Sequence, residues 1–208
     1  MIDLSHIQNQ LAGRTAGIIG QDQGKHAAVI LPLVYDDNEL SILFEVRAHH
    51  LNSQPGEICF PGGRIDSTDP TPKLAAIREL TEELGVTNDD INLIAPLDIL
   101  VTPFRGIIYP FVGQLKSIEA IQPNHQEVDH IFTVPLSFLY NYEPERFDMG
   151  LRFEPESNFP LQKISNSRAY SSSRKSLIPE IFYYYQDYVI WGLTARILTH
   201  FIELTKPR

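Results

Sequence analysis

The chain contains 208 residues, of which 43% are hydrophobic, and it carries a formal net charge of -9. This size suffices for one hydrophobic core, so a single domain over residues 1–208 is predicted, and the acidic balance disfavours a nucleic-acid surface, which needs clustered Lys and Arg. The single cysteine, Cys59, excludes an internal disulfide, and no apolar run has the roughly 18 residues of a membrane span. No secretory signal pattern opens the chain, so a cytoplasmic location is expected.

The first part of the chain is predicted to form a short helix followed by a hairpin. Residues 2–12 have the pattern of an amphipathic helix. Segments 26–35 and 41–46 are rich in β-branched and apolar residues, and the turn chemistry of Asp36-Asp37-Asn38 between them predicts a hairpin. A brief strand predicted at 58–60 then leads into a proline and a double glycine.

The helix that follows carries start and stop signals. Thr71 is predicted as its N-cap, with Pro72 in the first turn, and Gly85 as the left-handed residue just past its end. Four apolar residues are expected to lie on the side of this helix that faces the core: Leu74, Ile77, Leu80 and Leu84.

The second part of the chain mixes strand and helix patterns. The predicted elements are strands at 93–101, 107–115, 128–134 and 181–189, and helices at 135–140 and about 190–205. The polar, serine-rich segment at about 163–176 is predicted to be a mobile loop, and Trp191 to be a core anchor at the start of the last helix. Strands mixed with few, separated helices indicate an α+β fold in which helices pack on a mixed sheet.

Three carboxylates lie in one short run of the central helix. At about 100° per residue, Glu79, Glu82 and Glu83 span one side of this helix, roughly opposite its apolar residues. Like charges this close repel each other, so helix stability gives no reason to gather them. A hard divalent cation such as Mg²⁺ supplies a reason, because it prefers oxygen ligands and needs the negative charge. The alternative is a solvated acidic face that binds nothing.

The stretch from Gly63 to Val86 resembles the signature of the Nudix hydrolases. That signature is a glycine, a loop with an acidic position, and then Arg-Glu-apolar-x-Glu-Glu-x-Gly-apolar, which residues 78–86 match in register. Asp69 takes the loop position, where the general family has Glu, and eight residues separate it from Arg78. The resemblance implies the Nudix fold, a mixed β-sheet sandwiched between helices in α/β/α layers.

Other segments resemble the coenzyme A diphosphatases of this superfamily. The matching positions are 43–48, Gly56, 60–63, 127–128, 134–136 and 190–194. Those enzymes share the extra loop residue and the loop Asp, but they have a threonine where Glu45 stands and a second arginine near Asn52. The resemblance implies a coenzyme A-like small molecule as substrate.

The resemblance also implies hydrolysis of a diphosphate bond with Mg²⁺ or Mn²⁺, which neutralise phosphate oxygens and lower the pKa of bound water. Glu79 and Glu83 would be direct metal ligands, and Glu82 would bind directly or through water. A base must take the proton of the attacking water. Glu127, just before the strand at 128–134, and Glu79 are rival candidates, and the alternative for Glu127 is an exposed strand end.

Four further residues are candidates for the site. Arg78 is expected to orient the glutamates, because its guanidinium presents a rigid fork to carboxylates, and a surface salt bridge is the alternative. Gly62 and Gly63 permit a close approach of phosphate or metal, or else form a plain tight turn. Arg47 is expected to contact substrate phosphates, and a structural role is an equal alternative.

The preferred interpretation is an enzyme that cleaves coenzyme A or acyl-coenzyme A into 3′,5′-ADP and a 4′-phosphopantetheine. A second interpretation keeps the chemistry but changes the substrate to ADP-ribose or a dinucleotide polyphosphate. A third interpretation is a nucleotide sensor without catalysis. It is disfavoured because such proteins usually lose one or more acids of the signature, and Glu79, Glu82 and Glu83 are all present. The apolar C-terminal helix leaves a homodimer open.

Overall fold

A computed structural model describes residues 3–21, 24–102, 106–152, 154–165 and 175–207, and a mixed sheet with helices on both faces forms its centre. The strands are β1 (His26–Asp36), β2 (Glu39–Arg47), β3 (Ile58–Cys59), β4 (Gly62–Arg64), β5 (Ile91–Pro96), β6 (Leu100–Thr102), β7 (Gly106–Leu115), β8 (Val128–Pro135), β9 (Glu145–Arg152), β10 (Lys175–Tyr185) and β11 (Tyr188–Trp191). The helices are α1 (Leu4–Leu11), α2 (Pro72–Leu84), α3 (Leu136–Asn141) and α4 (Gly192–Thr205).

The main sheet has the strand order β3-β2-β1-β7-β5, with β8 paired to β2, β4 to β1 and β6 to β7. Among the described strands the pairing is antiparallel except between β1 and β7, where His26 lies opposite Ile107. Parallel neighbours require a long crossover. The connection from β1 to β7 contains α2, which is thereby carried onto one face of the sheet.

Two hydrophobic clusters cover the two faces of this sheet. On one face, the buried residues Ala76 and Leu80 of α2 share a cluster with Ile30 of β1. The cluster on the other face includes residues of α3, β10 and α4: Leu139, Ile181, Ile197, Leu198 and Phe201. Burial on both faces explains the nearly continuous apolar sequence of β1. The predicted α+β fold, with a mixed sheet between helices, is confirmed.

The predicted hairpin forms between β1 and β2. The two strands pair antiparallel, with Asp36 opposite Glu39. Asp37 and Asn38 at the turn have positive φ angles of 46° and 63°, as a type I′ turn requires. Asp and Asn adopt this conformation more readily than most residues, so the turn chemistry accounts for the hairpin.

The ends of α2 follow the predicted capping residues. The Thr71 hydroxyl accepts a hydrogen bond from the Leu74 backbone N–H, and Gly85 has a left-handed conformation with φ of 64°. The expectation that the Leu74 side chain faces the core is wrong, because this residue of the first turn is exposed. Ala75 and Ala76 are buried instead, and these small side chains let the helix approach the sheet closely.

The second sheet, with the order β11-β10-β9, is not predicted from the sequence. The single strand predicted at 181–189 is wrong, because the chain reverses at Gln186, whose φ is 52°, to form β10 and β11. The strand predicted at 93–101 is likewise divided into β5 and β6. Most of the loop predicted at 163–176 lies outside the described residues, and its ends belong to a 3-10 turn at Leu161–Lys163 and to β10.

The terminal helices lie near their predicted positions. α1 begins at Leu4, inside the predicted range 2–12, whose first residue lies outside the described part of the chain. α4 begins at Gly192, and the expectation that Trp191 anchors the core is wrong, because its side chain is 42% exposed and stacks on Phe182. Within the described ranges, no helix combines the length and hydropathy needed to span a membrane.

Candidate active site

The three acidic side chains of α2 differ strongly in exposure. The side chain of Glu82 is 55% exposed, that of Glu79 is 15% exposed and that of Glu83 is 2% exposed. Burial and the neighbouring carboxylate of Glu45 raise the pKa of Glu83 to about 9, and burial raises the pKa of Glu79. Of the three acids, only Glu82 is therefore exposed to solvent, as a solvated acidic face would require.

Strand β4 brings the double glycine against these acids. The Gly62 N–H donates a hydrogen bond of 2.7 Å to Glu83 Oε2. Gly62 also pairs with β1 at a φ of 149°, and a Cβ there would collide with the Ala28 carbonyl oxygen. A Cβ on Gly63 would lie 2.5 Å from the carboxyl carbon of Glu79. The absence of a Cβ at Gly62 thus allows β4 to pair closely with β1, and its absence at Gly63 allows the Glu79 carboxylate to reach β4.

Arg78 joins α2 to the loop that precedes it. Its guanidinium donates to both carboxylate oxygens of Asp69, at 3.1 and 2.9 Å, and lies 3.0 Å from the carboxylates of Glu79 and Glu82. Hydrogen bonds from Arg78 hold the pKa of Asp69 below its usual range. The structure therefore brings Arg78 together with the acids that it is expected to orient, and its contribution to turnover stays a prediction.

A further acid, Glu45, is missed by the sequence reasoning about the site. It is fully buried in β2, and its Oε1 accepts a hydrogen bond of 3.1 Å from Cys59 Sγ, while its Oε2 has no partner among the described residues. Burial raises the pKa of Glu45 to about 7 and raises that of the Cys59 thiol. The signal in the sequence is a charged residue inside the apolar run at 42–46 of this strand. Nη1 of Arg47, the last residue of the same strand, lies 3.9 Å from Glu83 Oε1.

The metal-free protein is expected to lose stability as the pH rises through the titration of Glu45. Its folded pKa of about 7 exceeds the ordinary value of 4.5, so the folded state binds this proton more tightly. The free energy of unfolding therefore falls as the pH rises from about 5 to about 7. At about 1.4 kcal/mol per pKa unit, Glu45 contributes about 3 kcal/mol to this loss, and Glu83, whose pKa is also raised, adds to it. Urea unfolding in EDTA at a series of pH values measures it.

Glu45→Gln removes this titrating group, so the fall in stability over the same pH range should be smaller. Glu203→Gln, which neutralises an exposed acid of α4, should retain the whole fall. An equally steep fall in Glu45→Gln would show that another group is responsible.

Glu127 immediately precedes β8 and lies next to the end of β2. Its carbonyl oxygen accepts a hydrogen bond of 2.8 Å from the Ala48 N–H, and its side chain is partly buried. Its negative charge is among the causes of the raised pKa of both Glu45 and Glu79. Glu127 is therefore within electrostatic reach of the acids of α2, which an isolated strand end would not be.

The acids of α2 have the chemistry of a site for a hard divalent cation. Carboxylate oxygens are ligands that such ions prefer. Burial raises the pKa values of Glu79 and Glu83, and a cation beside these carboxylates would favour their charged forms. In the part of the chain that the structure describes, no three His, Cys, Asp or Glu residues already converge as a metal site. Glu79 is instead paired with Arg78, and Glu83 with the Gly62 N–H. The donor set fits the ion, and these two acids would hold it.

A cavity of about 370 Å³ adjoins the double glycine. Besides Gly62 and Gly63, its lining includes the basic residues Lys25, Arg47 and Arg64, and we call it the basic cavity. Cationic side chains in a cleft attract and bind phosphate groups. Arg47 thus lies where a contact with substrate phosphates is expected, and that contact stays a prediction.

Comparisons with known proteins agree with this arrangement. The sequence profile of the NUDIX domain matches residues 24–151, which is more than half of the chain. The uncharacterized Nudix hydrolase NudL of Photorhabdus laumondii is 30% identical over 178 residues, and the match covers 85% of this chain and 83% of that protein.

Two relatives carry more specific names. Peroxisomal coenzyme A diphosphatase NUDT7 of Mus musculus is 35% identical over 53% of this chain and 47% of its own length. Peroxisomal coenzyme A diphosphatase ndx-8 of Caenorhabditis elegans is 36% identical over 66% of this chain and 56% of its own length. The match thus spans about half of the length of these two relatives. On the matching profile and the near full-length similarity to NudL, the chain belongs to the Nudix family of hydrolases.

Proposed function

We propose that the protein hydrolyses the diphosphate bond of coenzyme A or acyl-coenzyme A, giving 3′,5′-ADP and a 4′-phosphopantetheine. The observation that carries the proposal is the position of Gly63, which lies against the Glu79 carboxylate and also lines the basic cavity. A diphosphate in that cavity lies between acids suited to a metal ion and cationic side chains. The names of two relatives, both coenzyme A diphosphatases, support this choice of substrate.

The acids of α2 hold the metal ion in this proposal. Glu79 and Glu83 would be its direct ligands, and Glu82 would add an oxygen directly or through water. When bound, Mg²⁺ or Mn²⁺ neutralises phosphate oxygens and lowers the pKa of a bound water. Arg78 maintains the positions of Glu79 and Glu82 through its ion pairs.

In this proposal, residues that line the basic cavity bind the substrate phosphates. Arg47 would pair with them, because this residue lines the basic cavity and a guanidinium matches phosphate geometry. Gly63 would allow the phosphate to approach the backbone closely. Gly62 contributes space, since its N–H is already bonded to Glu83.

Glu127→Gln is expected to lower kcat by about 10²- to 10⁴-fold, the usual contribution of a general base, because Glu127 would accept the proton of the attacking water. The KM for coenzyme A should change little. Steady-state kinetics and the acidic limb of the pH–rate profile measure the effect. Asp129→Asn, which alters an exposed acid two residues along β8, serves as the matched control. Near-normal turnover in Glu127→Gln would leave Glu79 as the base.

A substrate panel with mass analysis of the products tests the proposed function. Coenzyme A and acyl-coenzyme A should yield 3′,5′-ADP and the matching phosphopantetheine. Strong turnover of ADP-ribose or of a dinucleotide polyphosphate, with negligible turnover of coenzyme A, would replace the substrate. Ligand binding without hydrolysis in either Mg²⁺ or Mn²⁺ would indicate a nucleotide sensor.

The proposal also covers the setting in which the enzyme works. We take residues 1–208 as one domain acting on a nucleotide-type small molecule in the cytoplasm, with a homodimer as a further expectation. Two relatives are named as peroxisomal enzymes, so the compartment of this protein requires its own measurement. Cell fractionation and light scattering test the location and the oligomeric state.

A further inference from the structure

A second cavity, of about 260 Å³, adjoins the basic cavity. Gln54, Cys59, Leu193 and Thr194 line both of them. The Thr194 hydroxyl donates a hydrogen bond of 3.0 Å to the Ile58 carbonyl oxygen, so the shared wall is tied to both α4 and β3. We call the second space the apolar cavity. Because the two cavities share lining residues, they lie next to each other, as a ligand that occupies both would require.

One face of the second sheet supplies much of the lining of the apolar cavity. Met149 lies opposite Ile178 in the antiparallel pair of β9 and β10, so the two side chains share a face. Leu151 and Glu180, each two residues further along its strand, lie on that same face, and all four residues line the cavity. Leu177, on the opposite face of β10, is 61% exposed.

Charge distinguishes the apolar cavity from the basic one. Its lining residues with formally charged side chains are Glu57, Glu180 and Arg196, so acids outnumber bases. Oε2 of Glu180 is shielded from solvent and has no hydrogen-bond partner among the described residues. A carboxylate only accepts hydrogen bonds, so a ligand group with an N–H or O–H donor is the kind that suits a place beside Glu180. The same negative charge disfavours a phosphate group, so a neutral part of a substrate fits here best.

We propose that the apolar cavity binds the pantetheine arm of the substrate, an inference that rests on the proposed function. The arm is neutral and mostly apolar, and it carries amide N–H groups, one of which would donate to Glu180. It is joined directly to the diphosphate, so it must occupy a space next to the basic cavity, as the apolar cavity is. The phosphorylated nucleoside half then stays on the side of the basic cavity.

Calorimetric titration with each product half tests this assignment. Ile178→Trp fills the cavity from β10, and Met149→Trp fills it from β9. Each should weaken binding of 4′-phosphopantetheine by at least about tenfold, because each methylene excluded from apolar contact costs about fourfold in affinity. Affinity for 3′,5′-ADP should stay unchanged, and the KM for coenzyme A should rise without a change in kcat.

A pair of substitutions at Glu180 tests the polar contact. Glu180→Leu removes the acceptor and should weaken binding of 4′-phosphopantetheine by about tenfold. Glu180→Gln keeps one acceptor oxygen and should weaken it less. Wild-type affinity in both variants would show that the carboxylate does not contact the arm.

Leu177→Trp is the matched control, because it introduces the same side chain on the opposite face of the same strand. It should bind both product halves like the wild type. Thermal unfolding shows which variants are folded, and Met149→Trp, at a half-exposed position, keeps the test available if Ile178→Trp does not fold. Unchanged binding of 4′-phosphopantetheine in a folded cavity variant, or no binding of it by the wild type, overturns the inference. Wild-type binding of 4′-phosphopantetheine without hydrolysis of coenzyme A overturns only the proposed function.

Discussion

Glu83→Gln is expected to lower kcat by about 10³-fold, because a metal ligand worth several kcal/mol in the transition state is lost. The amide oxygen can still accept the hydrogen bond from the Gly62 N–H, so the backbone of β4 should stay in place. Burial makes the anionic form of this acid unfavourable, as its pKa of about 9 shows. The metal-free variant should therefore be at least as stable as the wild type.

Two measurements on Glu83→Gln separate loss of metal from loss of fold. Calorimetry with Mg²⁺ or Mn²⁺ should show weaker binding, and urea unfolding in EDTA should show no loss of stability. Glu203→Gln, which neutralises an exposed acid of α4, should match the wild type in both. Wild-type kcat and metal affinity in Glu83→Gln would remove this acid from the metal site.

Gly63→Ala is expected to lower kcat by about 10²-fold while the protein stays folded. The new Cβ would lie 2.5 Å from the Glu79 carboxyl carbon, which is the end of a flexible side chain and can move away. A displacement of about 1 Å at a catalytic group can cost about 10²-fold in rate. At Gly62 the obstacle is backbone, since a Cβ there would meet the Ala28 carbonyl oxygen and Val29 Cα. Gly62→Ala should therefore impair folding as well as activity.

Steady-state kinetics and thermal unfolding of the two variants check this contrast. Gly17→Ala is the control, because a Cβ at that position has only ordinary contacts, the nearest at 3.6 Å from a side-chain oxygen of Gln21. It should behave like the wild type in both measurements. A Gly63→Ala variant with full activity would show that Glu79 need not occupy its observed position.

The elements with local signals are the ones that the sequence predicts well. Asp37-Asn38 sets the turn of the first hairpin, and Thr71 and Gly85 set the ends of α2, because each acts on the backbone within a few residues. The turn at Gln186 has no such signal, since glutamine has no special preference for positive φ. The pairing of β10 with both β9 and β11 imposes this turn. Trp191 is exposed for the same reason, because a sheet that the sequence does not predict decides which way it faces.

The site shows the same division between local and distant causes. The run of acids and the neighbouring arginine can be recognised from spacing alone. Their unequal burial cannot, because it depends on how β4 docks against α2. Glu45 is missed because its burial follows from the pairing of β2 with both β3 and β8, where it lies opposite Cys59 and Ile131.

The parallel pairing of β1 with β7 has a consequence for refolding. α2 packs on β1, and His26 of that strand lies opposite Ile107, so segments far apart in the sequence must meet before the sheet beneath the acids is complete. Contacts between distant segments form slowly, because loop closure costs entropy before any contact is gained. The rate at which turnover recovers after dilution from urea is therefore expected to depend on the pairing of β7 with β1, although β7 contributes no acid to the site.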